Sequence, residues 1–187
     1  MIELYHAFAP ILPIFILLMM IIVIVFLFLN RSAGKDARNF KRRMTLIIYI
    51  GFTVTIVGMI LVTLMPTDYP NQMIQLVPFS SITETLEYAT PRAIVNSLLM
   101  NIILFIPFGL FLYILTRKPF LTTVLACLMS ISIEVLQYVL PIGRISNIDD
   151  VILNTLGGII GMLCGVLVLK LQIVYNILTT GKGNTNK

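Results

Sequence analysis

Residues 134–169 read EVLQYVLPIGRISNIDDVILNTLGGIIGMLCGVLVL. The final part, Val151 to Leu169, contains no charged residue. An uncharged apolar run of that length has the reach of a transmembrane helix. Pro141 and Gly143 break the helix before it. The stretch therefore reads as the end of one span, a short turn and a second span. Polar side chains gather around that turn: Glu134, Gln137, Arg144, Asp149, Asp150 and Asn154. Ionisable groups at or inside a bilayer are costly, so such a cluster needs a physical reason.

The same reading extends to the rest of the chain. Of its 187 residues, 58% are hydrophobic and 11% charged. A soluble domain carries roughly a quarter charged residues. Mean hydropathy is +1.00. Five apolar runs emerge: Ala7–Leu29, Met44–Met65, Ala93–Thr116, Phe120–Leu140 and Val151–Leu169. Each suits a hydrocarbon core of roughly 30 Å. The expected fold is all-α, a polytopic transmembrane helical bundle of five spans. Residues 1–43 form the first span and a basic cytoplasmic loop, 44–170 the main transmembrane domain, and 171–187 a cytoplasmic tail. The N-terminal run lacks a basic leader and is too long for a signal peptide.

Charge sets the expected orientation. Eleven of the 13 Lys and Arg residues fall in the first loop, the third loop and the tail, leaving only Arg92 and Arg144 opposite. The positive-inside rule then puts the N-terminus outside and the C-terminus in the cytoplasm. Net charge is +5, but the basic residues lie beside apolar runs, where they face anionic lipid and not nucleic acid. Cys127 and Cys164 have no paired or metal-binding spacing and read as small buried apolar residues. His6, the single histidine, reads as interfacial.

In this topology Glu134 lies roughly 9 Å below the outer end of its helix at 1.5 Å per residue. Gln137 shares its face. Ser146 or Asn147 caps the fifth helix, and Asp149 and Asp150 occupy its first turn, where the helix dipole favours carboxylates. Asp150 and Asn154 continue into Gly157, Gly161 and Gly165, a ladder that admits a close helix partner. Asn101 enters from the third span, roughly 13 Å below the surface. Pro107 interrupts that helix, and Gly109 lets a neighbour approach. The long outer segment 66–92 holds a short expected helix, Ser80 to Ala89, with Ser80 or Ser81 and Glu84 as a capping box. Met73, Ile74, Leu76, Val77 and Phe79 suit a position along the membrane surface, where the segment reads either as a lid or re-entrant element over a site or as an interfacial connector.

Several of these elements together resemble the VanZ-like family. They are Asn101-Ile-Ile-Leu-Phe-Ile-Pro107-Phe-Gly109, Glu134-x-x-Gln137, Gly143-Arg144, Asp149-Asp150 and Asn154-x-x-Gly157-Gly158, preceded by Leu76-Val77-Pro78-Phe79. Gln75 stands where that family often has Asn. The resemblance covers 61–169. It implies a multi-pass protein of the bacterial plasma membrane tied to the cell envelope. The family's founding member is associated with low-level resistance to the glycopeptide teicoplanin. By analogy it implies chemistry on phosphorylated lipid head groups, of phosphoesterase or transferase type. Glu134, Arg144 and Asp150 are then the candidate catalytic residues, and Asn101, Gln137, Asp149 and Asn154 the supporting ones. The implied partners are membrane lipids or a lipid-linked envelope precursor. No metal site or cofactor is indicated. Two alternatives stand beside this one. A small ion or solute transporter would use buried acids for proton coupling, although the inner halves of the spans offer it few polar groups. A non-catalytic assembly subunit would use Gly157, Gly161 and Gly165 to hold a partner helix.

Overall fold

The structure, a computed structural model, describes residues 37–67, 73–90 and 98–181. The expected first span, His6, Arg92 and the end of the tail lie outside them. Among the described residues five helices and two short strands follow in order: α1 (Ala37–Thr63), β1 (Met73–Gln75), α2 (Ser80–Tyr88), α3 (Met100–Thr116), α4 (Pro119–Val139), β2 (Ile145–Asn147) and α5 (Ile148–Gly181). The strands pair in a two-stranded sheet that hydropathy does not anticipate. Stretches of α1, α4 and α5, Arg42–Thr63, Pro119–Val139 and Ile148–Leu171, are long and apolar enough to cross a membrane. The expected third span, Ala93–Thr116, falls on α3, which is apolar but shorter over its described residues.

The described residues divide into two compact units. The first holds α1 and β1 up to Ile74, together with Val135–Ser146. The second holds Gln75–Glu134 and the chain from Asn147 onward. Helix α4 changes unit after Glu134, so Glu134 and Gln137 belong to different units despite sharing a helix.

The second unit is built on α3 and α5. A Cβ at Gly157 would stand 2.2 Å from the carbonyl oxygen of Ile102, one at Gly161 1.9 Å from that of Ile106, and one at Gly109 2.0 Å from that of Gly158. No side chain fits at such separations. Glycine's hydrogen fills the gap, and Cα–H groups point at carbonyls across the pair. The ladder thus receives α3 of the same unit. Gly158 in turn faces Ala126 of α4. Phe105, Phe108, Leu112, Ala126, Ile133, Leu153 and Leu169 are buried apolar side chains of this unit. Hydroxyls inside the helices satisfy themselves locally: Thr116, Thr122, Thr123 and Thr155 each donate to the carbonyl four residues back. Cys164 corrects the sequence reading. It is exposed, on the outward side of α5 with Leu163, Leu167 and Val168, while Cys127 is half-buried.

Candidate functional site

The polar residues singled out from sequence separate by unit. Arg144 and Gln137 lie in the first, and Asn101, Glu134, Asp149, Asp150 and Asn154 in the second.

In the first unit both side chains serve the C-terminal end of α1. A helix leaves its last carbonyls without intrahelical partners. Buried Gln137 donates from Nε2 to the carbonyl of Thr63 at 2.7 Å. Arg144 donates from Nε to Met65 O at 3.0 Å and from Nη2 to Val62 O at 3.3 Å. A cation at a helix C-terminus also complements the helix dipole. Gly143 precedes Arg144 with φ 65°, a left-handed conformation that favours glycine. Thr67 is tied to this turn, its N–H to Ile142 O and its hydroxyl to Gly143 O.

In the second unit the same task is done with the opposite charge. Glu134 accepts the N–H of Asn147 through Oε2 at 2.7 Å. Asn147 caps α5, its Oδ1 accepting the N–H of Asp149 at 3.0 Å. Asp149 then accepts three backbone N–H groups at the start of α2: Phe79 at 2.5 Å on Oδ1, and Ser81 at 2.9 Å and Ile82 at 3.1 Å on Oδ2. The result is one continuous chain, Glu134 to Asn147 to Asp149 to α2. All three side chains are buried, Asp149 to 1% exposure. Charge-assisted bonds to backbone N–H groups offset the cost of burying a carboxylate. This arrangement replaces the expected capping box. The N-cap of α2 is Phe79, at φ 65° and with no side-chain cap of its own. Ser80 instead donates its hydroxyl to Val77 O and accepts from Gln75 Nε2.

Asp150 is half-buried and takes a 2.7 Å hydrogen bond from Asn101 Nδ2, which joins α3 to the first turn of α5. One turn deeper, Asn154 donates to Ser130 Oγ at 2.9 Å. Asn154 Oδ1 is buried with no hydrogen-bond partner. Ser130 is the residue that sequence reading missed. Its signal was spacing, because Thr122, Ala126, Ser130 and Glu134 recur every four residues and form a buried stripe on α4. The sequence marks Asn147 only as a candidate cap, and its link to Glu134 has no local sequence signature. Among the described residues no group of acids, Cys and His is placed to hold a metal ion.

Span-length apolar helices whose buried acids and amides cluster at their ends define an integral membrane protein of the helical type. The VanZ/LLP1 family model matches residues 14–169, and the chain belongs to that family. The match begins inside the first expected span, well before the motif-bearing stretch 61–169. Protein VanZ of Enterococcus faecium is 31% identical over 99 residues, a match covering 51% of this chain and 53% of that protein. The chain thus aligns with about half the length of this relative. No solved structure matches the chain.

Proposed function

We propose that this protein is a multi-pass component of the bacterial plasma membrane that engages phosphorylated lipid head groups at the outer leaflet. In this reading five spans place the N-terminus outside and the C-terminus in the cytoplasm. The ligand is a membrane lipid or a lipid-linked envelope precursor, and the chemistry is phosphoester hydrolysis or transfer. Arg144 is assigned to the phosphate, since a guanidinium matches phosphate oxygens in charge and shape. Glu134 and Asp150 are assigned to proton transfer, the work that carboxyl groups do in a partly desolvated setting. Asn101 orients Asp150. Asp149 is left with structure, because its two oxygens already take three backbone N–H groups.

The observation that carries the reading is the Asn101–Asp150 pair, a half-buried carboxylate held by an amide at the N-terminal end of a membrane-span helix. Beside it the carboxylate of Asp149 takes three backbone N–H groups, so the two neighbouring acids are held by different kinds of donor. Membership of the VanZ/LLP1 family supports a role in the envelope and links it to glycopeptide susceptibility. The test is Asp150→Asn and Glu134→Gln in a teicoplanin-challenged host, with protein abundance in the membrane measured alongside. Normal abundance with loss of the wild-type effect on susceptibility is expected. Normal abundance with an unchanged effect would remove these acids from the function.

A further inference from the structure

Helix α2 buries none of its residues. Leu76 is 68% exposed, Val77 66%, Phe79 57% and Leu86 56%. Phe79, Ile82 and Leu86 follow helical spacing and form one apolar stripe. Glu84 and Glu87 lie off that stripe and are exposed. An apolar edge this open on so short a helix needs a covering.

Its place in the fold says what covers it. The N-terminal N–H groups of α2 end on Asp149, in the first turn of α5. That turn opens the apolar stretch Ile148–Leu171, which is long enough to cross a membrane. The start of α2 is therefore fixed at the level where a span leaves the hydrocarbon. A short helix with one apolar stripe at that level matches the physics of an interfacial helix, lying in the plane of the head groups with its apolar side down. The segment 76–88 carries no Lys or Arg, so its affinity for lipid is apolar and not electrostatic.

We infer that the segment from Leu76 to Leu86 docks in the interfacial zone of the bilayer, and that Asp149 fastens it there by holding the first turn of α2. Asp149 is a positioning residue in this arrangement. The inference stands on the membrane-span helices alone and does not depend on which ligand the polar site takes.

The chain has no tryptophan, so a single introduced one reports without background. Val77→Trp, Leu86→Trp and Glu84→Trp variants of the full chain go into vesicles of phosphatidylcholine and phosphatidylglycerol. Each is quenched by lipid brominated near the head group and, separately, by aqueous acrylamide. Tryptophan at 77 and 86 is expected to show several-fold stronger lipid quenching than at 84, and several-fold weaker acrylamide quenching. Tryptophan at 77 and 86 quenched like that at 84 overturns the docking. So does shielding from both quenchers, which would mean a protein surface, such as a second copy, covers the stripe. For the fastening, Asp149→Asn is expected to speed amide hydrogen exchange at Phe79, Ser81 and Ile82 by about tenfold or more, as loss of buried acceptors implies. Ser81→Pro removes one donor from the α2 side at a first-turn position that tolerates proline, and should do the same at Phe79 and Ile82 if Asp149→Asn does not fold. Unchanged exchange in the folded variant overturns the role of Asp149.

Discussion

The two units solve one problem with opposite charges. In the first, Arg144 and Gln137 donate to the carbonyls at the end of α1. In the second, Glu134, Asn147 and Asp149 accept the N–H groups at the starts of α5 and α2. Helix ends are the places where an apolar protein must still supply hydrogen bonds, and the sign of the side chain follows the sign of the helix end. Much of the polar cluster is therefore accounted for by the backbone. Arg144 and Glu134, to which a functional role is assigned above, also hold helix ends. Asp149 is held by three backbone N–H groups, and Asp150 takes a hydrogen bond from the side chain of Asn101.

The second unit also depends on α3 and α5 being able to meet, and the largest expected effect lies there. Gly161→Leu would drive a side chain into the Ile106 carbonyl. It should cost more than about 3 kcal/mol, beyond ordinary overpacking because backbone and not side chain must move. Denaturant unfolding in detergent, or loss of folded protein from membranes, measures this. Exchanging the two side chains across the comparison comes next. Gln137→Glu sets a carboxylate against the Thr63 carbonyl and should cost about 3 kcal/mol, whereas Glu134→Gln keeps an acceptor for Asn147 N–H and should cost about 1 kcal/mol. Equal losses from the two would break the rule that charge follows the helix end. Arg144→Ala removes donors from the α1 end and should cost about 2 kcal/mol, with Arg144→Lys recovering part of it. Cys164→Ala, on an exposed face, should stay within about 0.5 kcal/mol in the same assay.

How much of this was legible in the sequence follows from range. The spans of α1, α4 and α5 were readable because hydropathy is a local sum, and they hold to within a few residues. The Gly157–Gly161–Gly165 ladder was readable because helical spacing fixes its face. Its occupant, α3 with Gly109 at the crossing, agrees with the small-residue signal on both helices. The short strands at Met73–Gln75 and Ile145–Asn147 were not readable, since each is three residues long and owes its existence to a partner distant in sequence. The capping of α2 was misread for the same reason. Ser80 and Glu84 have the right local spacing, yet the carboxylate that does the work comes from Asp149. Of the candidate site, the residue types were legible, whereas the hydrogen-bond partners of its three acids required coordinates.

Lipid retention by the purified protein bears most directly on the proposal that the chain engages phosphorylated head groups. Wild type, Arg144→Gln and Glu134→Gln are prepared alike, matched for folded fraction, and weighed intact with their bound lipids by native mass spectrometry. A bound phospholipid or lipid-linked phosphate is expected in wild type and in Glu134→Gln, where the proposed proton transfer is lost, and its absence is expected in Arg144→Gln. Equal retention in all three, or no phosphorylated lipid on wild type, would contradict it.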